Sequence, residues 1–104
     1  MSHVPNAARG EASVTVSNAA FMLRPTFAAL VAAEEELGPL FALVERAAEG
    51  RMKLSEMTAL FWHCRHDAAP DLTRVAFCEG VAGAGLAAAT PALKILLCQI
   101  LGGR

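Results

Sequence analysis

What this chain lacks narrows its possibilities first. It has no unbroken apolar run of the ~20 residues that a membrane span needs. Its greasiest stretch, 86–101, is interrupted by Thr90-Pro91 and carries Lys94. Positive charge is not concentrated either. Lys and Arg total 9 against 10 Asp and Glu, for a formal net charge of −1. The basic residues Arg9, Arg24, Arg46, Arg51, Lys53, Arg65, Arg74, Lys94 and Arg104 are spread along the chain. A nucleic-acid binder draws much of its affinity from phosphate neutralisation on one basic face. Neither nucleic acid nor membrane is therefore expected as a partner. The opening Met1-Ser-His-Val-Pro-Asn6 has no charged-then-apolar export pattern, so the expected location is cytoplasmic.

Paired cysteines are missing too. The three present, Cys64, Cys78 and Cys98, are odd in number, far apart and set beside apolar neighbours. Reduced, partly buried thiols suit that spacing better than a disulfide frame. Large apolar side chains are also scarce, because 22 alanines inflate the 55% hydrophobic content. Alanine favours helix but buries little apolar area per residue. Modest stability of the lone chain, or help from self-association, follows.

What is present is one polarity pattern that changes partway. Residues 11–16 alternate, with Ala12, Val14 and Val16 on one side and Glu11, Ser13 and Thr15 on the other. That is the period of a half-buried strand. Ser17-Asn18-Ala19 supplies a turn, and the return strand places Phe21 and Leu23 inward. An isolated hairpin is marginal in water, so it must lie on helices or on another chain. Thr26 is a fair N-cap for a helix ending at Leu37, with Phe27, Leu30, Val31 and Leu37 expected inward. Gly38 stops it, and Pro39 suits the start of the next helix. That second helix turns Leu40, Leu43, Val44 and Ala47 inward and ends at Gly50.

Ser55 is the expected cap of a third helix, whose stripe is Met57, Leu60, Phe61 and Cys64. A loop at 67–71 precedes a fourth helix from about Thr73, with Val75, Phe77, Cys78 and Val81 inward. Thr90-Pro91 is the expected start of a fifth, with Leu93, Leu96, Leu97 and Ile100 inward. The fold class is thus α+β and mostly helical. A two-stranded antiparallel hairpin precedes about five short helices in one compact domain, 10–104, after a loose leader, 1–9.

The eye-catching segment is Trp62-His63-Cys64-Arg65-His66. At 100° per residue Cys64 falls on the core stripe while His66 points roughly the other way. No further ligand pair completes a tetrahedron, so no metal is expected. A Cys64/His63 nucleophile pair lacks an orienting carboxylate and an oxyanion loop. No catalytic residue, enzyme activity or cofactor is expected. Trp62 falls off the core stripe, where it either packs under the hairpin or the Asp67 loop or serves as a partner anchor. Ile95 and Cys98 lie off the stripe of the last helix, which is apolar nearly all round and needs a second face to cover. Trp62, His66, Ile95 and Cys98 are thus the candidate partner contacts. Glu34 falls within the inward stripe of the first helix, and an ion pair with Arg24 or Arg46 would satisfy it.

Taken in order, these signals resemble a known family. The hairpin opens at Arg9-Gly10-Glu11 and is followed by Leu23-Arg-Pro-Thr-Phe-Ala-Ala-Leu30 and Ala33-Glu34-Glu-Glu-Leu37-Gly38. Next come Leu43-Val-Glu-Arg-Ala-Ala-Glu-Gly50 and an ending of Gly85-Leu86, Leu96-Leu97 and Leu101-Gly102-Gly103. The series is similar to the small tail proteins of gene transfer agents and siphophage-like elements, a family grouped with phage tail assembly chaperones. The resemblance implies a protein that coats the helical tape-measure protein until tail-tube subunits displace it. Its implied partners are the tape-measure protein, the tail-tube protein and further copies of itself. The family has also been labelled as tail-tube protein, but tail tubes are built from ring-forming β-sandwich or barrel subunits. The competing reading is a small helical adaptor or regulatory module.

Overall fold

A computed structural model describes residues 12–16, 19–65 and 72–102. The expected leader, the turn residues Ser17 and Asn18, the 67–71 loop and His66 lie outside the described residues. Strands β1 (Ala12–Val16) and β2 (Ala19–Leu23) pair antiparallel, with Ala12 opposite Leu23, Val14 opposite Phe21 and Val16 opposite Ala19. Five helices follow: α1 (Phe27–Leu37), α2 (Leu40–Ala48), α3 (Leu54–Cys64), α4 (Arg74–Gly83) and α5 (Leu86–Gly102).

The strand alternation is realised as read: Ala12, Val14 and Val16 are buried while Ser13 and Thr15 are exposed. Both α4 and α5 pack against β1, and α3 packs against both α4 and α1. The closest approach is at Gly80, where an added Cβ would stand 2.2 Å from Val16 Cγ1. Only a glycine lets α4 sit this near the strand. Phe77, fully buried, joins three elements. Its ring meets Phe21 edge-on at 5.7 Å and Trp62 at the same centroid distance with a tilt of 58°.

Helix starts follow local chemistry. Thr26 Oγ1 accepts from Ala29 N–H and Thr73 Oγ1 from Ala76 N–H, both at 3.1 Å. Each satisfies an N–H that the first turn leaves without an intrahelical acceptor. At the end of α1, Gly38 takes φ 86°, which suits glycine. Helix α3 starts two residues earlier than Ser55 implied. Lys53 is its N-cap, and Glu56 Oε1 reaches back to accept the Lys53 N–H at 2.9 Å, the reciprocal half of a capping box.

The largest difference from the sequence reading is α5, which starts at Leu86 and runs through Pro91. Proline removes one N–H, but Pro91 and Ala87, whose carbonyl loses its donor, are both exposed to water. Thr90 Oγ1 donates to the Leu86 carbonyl at 2.9 Å. The helix break falls instead at Gly85, φ 97°. No single described helix is long and apolar enough to cross a membrane. Helices α4 and α5 pass that test only as a pair, bent by 113°, and their residues Phe77, Val81, Ala89, Ala92 and Leu96 are buried in the core.

Inward faces differ from expectation at three positions. Phe27 is 84% exposed, Val75 is 66% exposed, and Val31 also faces out. The buried residue of α1 is Ala33, flanked by half-buried Ala29, Leu30 and Leu37. At 100° per residue Phe27 stands about 120° round the helix from Ala33. An alanine at the contact lets α1 approach α3 closely, which a phenylalanine there would prevent.

Candidate partner-binding surface

Helix α3 occupies the middle of the fold, and Met57, Thr58, Ala59, Leu60, Phe61 and Cys64 are all buried. Thr58 returns its hydroxyl to the Leu54 carbonyl at 3.0 Å, so its burial leaves no orphaned donor. Two charge clusters clamp the helix to its neighbours. Arg46 of α2 meets Glu56 at 2.5 Å. Glu36 of α1 accepts from Arg74 of α4 and faces His63 Nε2 at 2.8 Å. The Arg74 hydrogen bond, then that of His63, pulls the Glu36 carboxyl from 4.5 down to about 2. The Lys53 N–H, then Arg46, lowers the Glu56 carboxyl from its ordinary range.

These pairings correct one expectation. Glu34 is exposed, not inward, and its Oε2 accepts the Leu40 N–H at 3.1 Å, serving the start of α2. Arg46 belongs to Glu56, and no ion pair joins Glu34 to Arg24 or Arg46 among the described residues. The physical reason is the rotation of α1 that exposes Phe27. It carries Glu34 out of the core to the exposed side of the helix.

The candidate contacts do not form one patch. Trp62 is half-buried, packed on Phe77 and covered by the Arg65 guanidinium at 4.2 Å from its ring centroid. The ring packs on α4, a neighbour the sequence reading did not consider for it, and the 67–71 loop lies outside the described residues. Ile95 is half-buried against the core, whereas Cys98 is exposed. Both line a shallow groove with Lys94 and Gln99, without Trp62. His66 lies outside the described residues.

Other side chains stand out more. Among the described residues Phe27 and Phe41, at 84% and 78% exposure, are the most exposed large apolar side chains, and Val75, Leu86 and Leu101 add to them on α4 and α5. Phe41 could have been read from the sequence: it follows Leu40 and falls off the Leu40/Leu43/Val44/Ala47 stripe. Phe27 was hidden by its size, which mimics a core residue.

The chemistry available is limited. Burial pushes the Cys64 thiol up to about 12, so it stays protonated at neutral pH. The neighbouring His63 is turned toward Glu36. Among the described residues no group of three or more His, Cys, Asp or Glu could hold a metal ion.

The described residues thus define a small α+β domain, a hairpin on a mostly helical body, whose prominent features lie on its outer faces. Residues 9–103 match the family described as "Phage tail tube protein, GTA-gp10", and the chain belongs to that family of phage tail proteins. No curated protein and no solved structure matches it.

Proposed function

We propose that this phage-tail protein is a non-enzymatic tail assembly chaperone, which holds the tape-measure protein before the tube polymerises around it. The observation that carries the reading is the spread of large apolar side chains over separate helices: Phe27 on α1, Phe41 on α2, Val75 on α4, and Leu86 and Leu101 on α5. A long helical client is held reversibly by many modest apolar contacts better than by one deep pocket. Exposed apolar surface of this kind marks interaction sites. A tail-tube subunit needs ring-forming sheets, and the two-stranded sheet of the lone chain supplies little of that. The anchors favoured by exposure are Phe27 and Phe41 rather than Trp62, which helps close the core.

The test is co-expression with a helical tape-measure fragment. The wild-type chain should keep the fragment soluble and co-purify with it. Phe27→Ser combined with Phe41→Ser should abolish co-purification. Both sites are exposed, so folding should change by only about 0.5 kcal/mol per site. A fragment that stays insoluble and unbound beside the folded wild-type chain would sink the chaperone reading.

A further inference from the structure

The outer edge of β1 is open, and its pattern suits a second copy of itself. Arg24 N–H donates to the Cys64 carbonyl at 2.8 Å, on the side of β2 away from β1. Main-chain groups alternate in direction along a strand. Ala20 and Met22 therefore also point away from β1, and their partners Thr15 and Ser13 point away from β2. The N–H and C=O groups of Ser13 and Thr15 face outward, and among the described residues none of them meets a hydrogen-bond partner. Beside them runs a cleft of about 100 Å³ lined by Ser13, Val14, Thr15, Val81, Ala84 and Ala88, with Ala89 at its floor.

Among the described residues, nothing charged stands along this edge. Residues 12–23 and 80–93 contain no Asp, Glu, Lys or Arg, and β1 has no proline. Natural edge strands that must stay single are usually protected by such groups or by a bulge. The shoulder at the α4–α5 break adds exposed Ala84, Ala87, Ala88 and 54% exposed Leu86. An uncharged strand beside an uncharged shoulder offers nothing to steer a charged peptide, but it complements its own image.

We propose that two copies of this chain join edge to edge through β1, forming one four-stranded antiparallel sheet about a two-fold axis at Val14. In this register Ser13 faces Thr15 of the second copy, and Thr15 faces its Ser13. Both are hydrogen-bonded pairs, so all four outward N–H and C=O groups of each edge find partners. Register slips that centre on Ser13 or Thr15 pair only half of them with described residues. Hydroxyl side chains meet on the exposed face, where Ser–Thr cross-strand pairs are favourable. Val14 meets Val14 on the helix side. A two-fold axis makes this contact isologous and closed, giving a dimer rather than a filament. The pairing uses a surface separate from Phe27 and Phe41, so it stands or falls apart from tape-measure binding.

The test is sedimentation velocity on the full chain from micromolar to millimolar concentration, with a charge swap. The wild type should dimerise. Ser13→Lys/Thr15→Lys and Ser13→Glu/Thr15→Glu should each weaken dimerisation roughly tenfold or more, because like charges stand opposite each other. An equimolar mixture of the two variants should restore the dimer. Since both sites are exposed, circular dichroism should stay native. Val14→Cys in a Cys98→Ser background should oxidise to a covalent dimer, because a non-hydrogen-bonded pair brings Cα atoms to ~4.5 Å, within disulfide range. A wild type that stays monomeric at millimolar concentration overturns the proposal, even if its Ser13 and Thr15 amides resist exchange, since the edge is then covered from within one chain. A dimer indifferent to both charge variants overturns it equally, placing the contact elsewhere.

Discussion

Helices α3 and α5 are both apolar on almost every side, yet they end in different settings. Six of the 11 residues of α3 are buried, against three of the 17 of α5. The difference lies in the neighbours. Helix α3 has α1 on one side and α4 on another, with the Arg46–Glu56 and Glu36–His63–Arg74 clusters holding them in place. Helix α5 has β1 and α4 beneath it, and among the described residues nothing covers Leu86, Cys98 or Leu101. Apolar composition alone therefore does not say whether a helix is central. What decides is how many elements the chain returns across it.

The sharpest way to break this contrast is truncation on each helix. Phe61→Ala, at a fully buried α3 position, should cost about 3–5 kcal/mol in urea denaturation. Leu101→Ala, at 59% exposure on α5, should cost no more than about 0.5 kcal/mol. Equal losses would mean that α5 is covered in solution. The next effect concerns the floor on which α5 and the hairpin rest. Gly80→Ala forces a methyl into Val16 and should destabilise by about 1–3 kcal/mol. Adding Val16→Ala should return part of that loss, and a strictly additive double mutant would deny the contact.

A smaller effect tests the clamps on α3. The folded Glu36 carboxyl lies at about 2, below its ordinary 4.5. Its contribution is therefore present above pH 4.5 and is lost as pH falls toward 2. Glu36→Gln should flatten the acid dependence of the denaturation midpoint in that window. The Glu36 side chain is 39% exposed, so the effect should stay under about 1 kcal/mol. Parallel pH profiles for the two proteins would remove the clamp from the account. The smallest effect is chemical. A thiol reagent at neutral pH should label Cys98 in the native protein and reach Cys64 only on unfolding, read by mass spectrometry. Rapid native labelling of Cys64 would contradict its burial.

Much of this architecture was legible from residues 12–104. Alternation at 12–16 marked the strand, Thr26 and Thr73 marked helix starts, and Gly38 marked a stop. What resisted reading was which face of an alanine-rich helix turns inward. In α1 the sequence offers contrast at Phe27 and Val31, yet the contact is made by Ala33, because close packing rewards a small residue over a large one. Helix α5 repeats the lesson with Ala89 and Ala92 buried beside Leu96. Proline misled for a related reason: its disruptive effect was assumed, but at Pro91 the lost bond lies on the wet side. The candidate contacts were placed by helical phase, which shows that a side chain leaves the core stripe but not what else meets it. Tryptophan was weighed as an anchor, when Phe77 and Arg65 were waiting to enclose it.

That enclosure has a practical consequence. The chain has one tryptophan and no tyrosine, so its ultraviolet emission comes from a single indole wedged between a phenyl ring and a guanidinium. Any loosening of the seam between the third and fourth helices must change the colour and brightness of that light, which gives the molecule a built-in gauge of its own closure.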